Sequence, residues 1–331
     1  MQRFALIGAG FIGAVHAASL AAHPEVDFVG VHDVDTTRAG TLATRFGARV
    51  LDGAEVFDAS HLDAVFIASS TDTHAQHLRS AADAGLAVLC EKPIAADLAE
   101  AVAVSEHVRA SGVPAMLDFN RRFDRDHAEL QRVVASGGVG DVELMQLTSR
   151  GPSLPPSEYL RSSGGQLRDQ TVHFFDLVRW ISGQDPVSVF ATGSALVDPS
   201  IREFGDVDTS VTTLTLPSGA LVQIDSVRRT GYGYDERIEV MGATGLVESG
   251  RNRRGNLTRY SAGHVVLDGL HDGWFERVQP TYAATLAAFV AALEAGVEPP
   301  VSLDDGIRAQ AIAEAASRSL TSARTEAIDY P

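Results

Sequence analysis

Asp169 and His173 stand four residues apart in the segment GGQLRDQTVHFFDLVRWISG, which reads as one helix entered from Gly164-Gly165. On a helix, residues four apart share a face, so the carboxylate and the imidazole come within mutual reach, as a base and its orienting group require. A neighbouring carboxylate favours the protonated ring and fixes its direction. Phe174, Leu177, Val178 and Ile181 follow the i, i+3, i+4, i+7 rule and form the buried stripe, which leaves Asp169, His173 and Asp176 on an adjoining face. Such a pair standing alone is more often a surface contact than a proton-transfer site, so the rest of the chain decides between the two.

Two other segments place polar groups among apolar ones. Glu91-Lys92-Pro93 directly follows the strand-like LAVLC. Ligands of doubly wound sheets bind at the carboxyl ends of the strands, so Lys92 is expected to project into a ligand crevice, with Pro93 stiffening the chain; a solvated surface lysine is the plain alternative. Phe119-Asn120-Arg121-Arg122-Phe123 offers paired arginines that either bind substrate hydroxyls or bridge two domains electrostatically.

The ligand is suggested by GAGFIG at positions 8 to 13, preceded by FALI and followed by the helix-like AVHAASLAAH. Strand, tight turn and helix is the order in which G-x-G-x-x-G clamps a dinucleotide. Gly8 makes the turn, Gly10 lets the backbone approach a pyrophosphate and Gly13 lets the first helix lie close to the sheet. Phe11 and Ile12 complete the contact at a helix N-terminus whose free N–H groups favour an anion. VDFVGVHD reads as a second strand ending in Asp33, 20 residues beyond Gly13. A carboxylate there accepts hydrogen bonds from both ribose hydroxyls and repels a 2′-phosphate, which favours NAD over NADP, with Arg38 moderating the preference. Ser69, Ser70, Thr71 and His74 read as further crevice lining, and Glu91 and Lys92 as facing the nicotinamide. A chain committed to such a cofactor needs a group to exchange an alcohol proton, which selects the proton-transfer reading of Asp169 and His173.

The elements that must hold these residues follow from the pattern. From Phe4 to about Phe119, the runs FALI, VDFVGVHD, DAVFIAS, LAVLC and PAMLDF alternate with helix-like segments, as parallel strands with crossover helices do. Asp97 with Glu100 resembles a capping box, and Gly85 and Gly112 fall where helices stop. Beyond Asn120 the pattern becomes a helix near 126–135, a long Pro/Ser-rich loop, the Asp169/His173 helix, and strands VSVFATGSAL, DTSVTTLTL, ALVQIDSVRR and RIEVMG joined by short turns. Helices near 281–294 and 304–320 finish the chain. The expected fold is α/β: a Rossmann doubly wound parallel sheet over 1–120, then an α+β domain over 121–331 with a large, mostly antiparallel open sheet, whose C-terminal helix is free to pack back on the first domain. Apolar groups on both faces of that open sheet predict a homo-oligomer, a tetramer being favoured.

Bulk properties narrow the class. The 331 residues suit two domains, and 45% hydrophobic content suits a globular chain. A formal net charge of −16 without a basic patch argues against nucleic acid or an anionic membrane as partner. One cysteine, Cys90, excludes an internal disulfide and suits a reducing compartment, hence a cytoplasmic location. No apolar stretch reaches the roughly 20 residues that span a bilayer. The MQRFALIGAGFIG run is not a secretory leader on this reading, since cleaving it would destroy the clamp. No paired-Cys, HExxH or clustered-carboxylate pattern suggests a metal.

GAGFIG, Asp33, SSTDTH, EKP, FNRRFD and GGQLRDQTVHFFD, in this order, resemble the glucose-fructose oxidoreductase, inositol dehydrogenase and MocA-like family over nearly the whole chain. RDQTVH and RTGYGYDERIEVMG look most like its bacterial inositol 2-dehydrogenase branch. The resemblance implies NAD-dependent oxidation of myo-inositol, or of a close cyclic polyol, to the ketone. It implies Lys92, Asp169 and His173 at the carbinol, and Arg122 with Tyr232, or alternatively Tyr234, on the other hydroxyls. Relatives often read IHDFD where this chain has Val172-His173-Phe174-Phe175-Asp176; Phe174 replaces an acidic neighbour, which implies altered packing or substrate range with the mechanism kept. Rival readings from the same resemblance are a sugar dehydrogenase, a glycosidase using bound NAD for transient oxidation, and a non-enzymatic dinucleotide sensor.

Overall fold

Apolar runs too short for helices and too continuous for a half-exposed sheet are buried by covering a parallel sheet on both faces. In the computed structural model, which describes residues 1–331, β1 (Gln2–Ile7), β2 (Val26–His32), β3 (Arg49–Val50), β4 (Ala64–Ile67), β5 (Ala87–Glu91) and β6 (Ala115–Asp118) do this in the order β3-β2-β1-β4-β5-β6. This is the doubly wound order, which reverses direction between β1 and β4 and opens a crevice at their carboxyl ends. Helices α1 (Phe11–Ala22), α2 (Thr36–Phe46), α3 (Thr71–Asp83) and α4 (Leu98–Ser111) make the crossovers. Asp97 caps α4 by accepting from the Glu100 N–H at 3.0 Å, and Gly112 ends it at φ +75. The pattern had not shown β3, because its two exposed residues carry no apolar run.

Asn120–Phe123 forms a 3₁₀ turn, followed by α5 (Arg125–Ala135), β7 (Val142–Arg150), α6 (Ser157–Ser162), α7 (Gln166–Asp169) and α8 (Val172–Ser182). Next come β8 (Ser188–Ser194), β9 (Thr209–Thr215), β10 (Leu221–Val227), β11 (Asp235–Gly242), β12 (Gly245–Ser249) and the hairpin of β13 (Thr258–Ser261) and β14 (His264–Leu267). The chain ends in α9 (Trp274–Ala295), α10 (Leu303–Ser322) and β15 (Glu326–Ala327). The large sheet runs β12-β11-β7-β10-β9-β8-β15, antiparallel at every pairing except β7 with β10.

Two expectations change here. The stretch read as a Pro/Ser-rich loop holds α6 and, just before it, β7, an interior strand of the sheet between β11 and β10. Met145 and Leu147 are buried on either side of exposed Gln146, a strand period too short to stand out between the glycines before it and the prolines after it. The helix expected to carry both Asp169 and His173 is two helices, with Gln170 and Thr171 between α7 and α8.

The chain divides into two compact units: Met1–Phe123 with Gln279–Ile307 and Pro331, and Asp124–Val278 with Arg308–Tyr330. No helix is long and apolar enough to cross a membrane.

Candidate active site

In the first unit the clamp is a matter of missing atoms. Gly8 has φ +104, and a Cβ there would lie 2.4 Å from the Ala68 carbonyl oxygen; a Cβ on Gly13 would lie 2.1 Å from the Gly8 oxygen. Gly10, the N-cap of α1, has open space where its Cβ would be, and Phe11 beside it is 62% exposed. Tight packing below and an open backbone above form the cradle a pyrophosphate needs. Asp33 stands at its edge, accepting from the Ala9 N–H at 2.7 Å, the Asp35 N–H at 2.8 Å and Arg38 at 3.2 Å. A carboxylate offers about four acceptor positions, so acceptor capacity remains for a ribose hydroxyl. The residues present therefore fit a dinucleotide.

The loops after β4 and β5 are tied by His74. Its buried ring sets Nδ1 2.8 Å from the Pro93 carbonyl and Nε2 3.1 Å from that of Ser69. Ser70 precedes α3 as its N-cap, Thr71 begins it, and Ser69 bonds Thr73 at 2.7 Å. Lys92 follows the last residue of β5. It is the only lysine in the chain, beside 26 arginines. A lysine amine is compact and can give up a proton, which a guanidinium cannot. Glu91 beside it accepts from His16 Nε2 at 2.8 Å; burial opposes its ionisation, but that bond and the charges of His16 and Lys92 hold its carboxyl below the usual range. Arg122 is buried and paired with Asp305 at 3.0 Å, Arg121 donates to Asn120 at 3.1 Å, and Asn120 donates to Thr281 at 2.9 Å.

In the second unit, the break between α7 and α8 has a local cause. The Gln170 side-chain amide donates to the Ser149 carbonyl at 2.9 Å and the Val227 carbonyl at 3.2 Å, and Thr171 bonds the Ser226 hydroxyl at 3.0 Å. These bonds plug both residues into the ends of β7 and β10 and compete with helical continuation. Asp169 is thus the last residue of one helix and His173 the second of the next, so helical spacing no longer sets their geometry. Phe174, Leu177, Val178 and Ile181 form the buried stripe as expected, and His173 is half-buried. Asp176 is fully buried with them, not on an open polar face.

Asp169 has a built seat. The Tyr159 hydroxyl donates to its Oδ1 at 2.7 Å, and Arg228, 2% exposed, approaches its Oδ2 at 3.6 Å. Arg228 also faces Asp206 at 3.7 Å, while Asp206 accepts from the backbone N–H groups of Gln166 at 2.7 Å and Val207 at 2.8 Å. One buried guanidinium thus links the carboxylate at the end of α7 to the one anchoring its start. Sequence reasoning missed Arg228, yet the signal was there: Val222, Ile224 and Ser226 are the inward positions of β10, and Arg228 continues their alternation.

The two tyrosines separate cleanly. Tyr234 is buried and donates to Glu236 at 2.5 Å. Tyr232 is 49% exposed, accepts from Arg150 at 3.1 Å and donates to Asp235 at 3.0 Å. It lines a cleft of about 430 Å³ with Arg150, Asp225, Arg229 and Thr230.

Residues 2–119 match the profile of an oxidoreductase family with an NAD-binding Rossmann fold, and residues 127–248 match that of a GFO/IDH/MocA C-terminal domain. The chain is 38% identical to an inositol 2-dehydrogenase of Rhizobium meliloti, over 97% of this chain and 98% of that one. It is 36% identical to a myo-inositol 2-dehydrogenase of Thermotoga maritima, over 98% of both. Its fold superimposes on the crystal structure of a myo-inositol dehydrogenase from Corynebacterium glutamicum with a TM-score of 0.94 at 34% identity, covering 99% of each.

Proposed function

Since this chain belongs to the GFO/IDH/MocA oxidoreductase family, with an NAD-binding Rossmann fold as its first part, we propose that it is an inositol 2-dehydrogenase that oxidises myo-inositol, or a close cyclic polyol, to the ketone. The observation that carries this reading is the seat of Asp169: a carboxylate ending a helix, held by a tyrosine hydroxyl and a buried arginine, four residues before a half-buried histidine. Bound NAD supplies the two-electron acceptor. His173 accepts the alcohol proton, and Asp169 orients the ring and stabilises its charged form. Lys92 donates to the same oxygen and stabilises the charge that develops on it. Arg122 and Tyr232 are assigned to the remaining hydroxyls; Tyr232 rather than Tyr234 is favoured because its hydroxyl is exposed, whereas Arg122 is already paired with Asp305 and acts through that pair.

The division of labour follows: residues 1–120 hold NAD and 121–331 hold substrate. The open face of the large sheet, with Phe190, Val211 and Leu221 each more than a third exposed, is the surface we assign to self-association into a tetramer. A single buried cysteine, Cys90, and an NAD-linked reaction suit the cytoplasm.

The decisive assay follows NADH formation by purified protein, with NAD and NADP, against myo-, scyllo- and chiro-inositol, glucose and xylose. Turnover of an inositol with NAD supports the proposal. Turnover of the aldoses alone replaces inositol by a sugar, and NAD binding without any turnover overturns the dehydrogenase reading.

A further inference from the structure

Glu91 and Asp118 end two neighbouring parallel strands, β5 and β6, and are paired in register, so their side chains leave the sheet on the same face. Both are withdrawn from water, with side-chain exposures of 13% and 0%. His16, fully buried on α1, sets Nε2 2.8 Å from Glu91 Oε1 and 3.7 Å from Asp118 Oδ2. Its ring lies 3.9 Å from that of Phe66 and edge-on to Tyr282 at 5.3 Å, which fixes it in place. One Nε2 proton serves one carboxylate, and it serves Glu91. Neither oxygen of Asp118 has a hydrogen-bond partner. The Thr285 hydroxyl beside it lies 2.9 Å from the Thr281 carbonyl, which competes with Asp118 for its single proton.

Other groups facing the pair are Lys92 after β5, Arg121 in the turn after β6, His74 from α3 and the buried Cys90 thiol. An ionised carboxylate without hydrogen bonds, out of water and beside a second carboxylate, is one of the costliest states a fold can hold. Burial above all, and then the charge of Glu91, push the Asp118 carboxyl well above its ordinary range, against the pull of the Thr285 hydroxyl and of the charges on Arg121 and Lys92. The three ligand atoms lie within 4.8 Å of one another, so a small cation is the competing way to neutralise the pair.

We infer that Asp118 is a neutral carboxylic acid in the working enzyme, and that Glu91, directed by His16, is the single buried anion that positions the Lys92 ammonium. The protonation of Asp118 stands apart from the reaction proposed above; the importance of holding Lys92 rests on it. Glu91 is a positioning residue on this reading, and Asp118 sets the charge of its surroundings at one rather than two.

Because Lys92 is the sole lysine, protein labelled at the lysine ε-carbon gives one lysine resonance, whose titration reads this site without turnover. Glu91→Gln should lower its midpoint by about one pH unit or more, since the ammonium loses its stabilising charge. Asp118→Asn, which exchanges a neutral acid for a neutral amide, should leave the midpoint within a few tenths of a unit. An equal fall in both variants means that Asp118 is ionised and overturns the inference. The parent protein supplies a check that needs no substitution: an infrared carbonyl band of a protonated carboxyl at about pH 8, lost in Asp118→Asn. Absence of the band, or stoichiometric Zn²⁺ or Mn²⁺ uptake that His16→Gln abolishes, also overturns it. A band and a selective Glu91 effect in a protein that turns over no polyol would leave this inference standing and sink the dehydrogenase reading instead.

Discussion

The glycine clamp and the α7–α8 segment both fix a geometry at a helix end, and they do so by opposite means. The clamp works by leaving atoms out: Gly8 and Gly13 let backbone lie against backbone, Gly10 leaves the helix end open, and the charged neighbour Asp33 accepts from the Ala9 and Asp35 N–H groups. The α7–α8 segment works by bringing atoms in from far along the chain. Asp206 anchors its start, Arg228 faces its carboxylate, and Gln170 is pinned to the ends of two strands. A local device tolerates change elsewhere, whereas a device assembled from distant residues is coupled to each of them.

The largest expected effect tests whether the two devices carry separate functions. His173→Ala should lower kcat by about 10²- to 10⁴-fold, the range for loss of a general base, while the NAD dissociation constant stays within about twofold. A drop of less than tenfold would remove His173 as the base. Gly8→Ala should do the reverse. Its side chain meets backbone at 2.4 Å in a left-handed conformation, so NAD binding should weaken by about 30-fold or more, roughly 2 kcal/mol, with kcat at saturating NAD within a fewfold. Calorimetric titration of NAD into both variants is the check, and unaltered affinity in Gly8→Ala would sink the clamp.

Arg228→Met sharpens the comparison from the other side. It leaves Asp169 and Asp206 without the buried cation they share, and kcat should fall about tenfold with little change in NAD affinity; Arg228→Lys should recover part of the loss. Equal losses in the two variants would mean that packing, not charge, is what Arg228 supplies.

The same contrast explains what was legible in the sequence. The clamp, Asp33 and the alternation of strand and helix were readable because each is a short-range pattern: a glycine spacing, a strand end, a capping aspartate at Asp97. The helix through Asp169 and His173 was misread because Gln170 and Thr171 find their partners at Ser149, Ser226 and Val227, which no local window contains. β7 was overlooked because only Met145 and Leu147, on either side of Gln146, mark it as a strand between glycines and prolines that read as loop. Arg228 lay in view as a charge at an inward strand position but belongs to no motif, whereas Lys92 was read from its EKP motif and its being the sole lysine adds a simple count to that.

The smallest expected effect separates the two units by acid. His77 on α3 is partly buried near Phe57, and burial, with the charges of His32 and His74, depresses its pKa from 6.5 to about 4. Between those values the unfolded chain takes up a proton that the folded chain refuses, so stability falls as pH falls through that window, by about 1–2 kcal/mol once partial exposure is allowed for. In the second unit, burial opposes ionisation of Asp124, but the charges of His127 and Arg277 hold its carboxyl at about 2, down from 3.8. Its contribution is intact above pH 3.8 and is lost only as pH drops toward 2. Loosening by acid should therefore begin around α3 and reach α5 later. Hydrogen exchange of peptides from the two helices across the acid range checks this, with the difference between parent and His77→Gln isolating the histidine from other groups that titrate nearby. If the α3 peptides of both proteins open along the same curve between pH 6.5 and 4, His77 contributes nothing to the descent and the acid sensitivity of the first unit lies elsewhere.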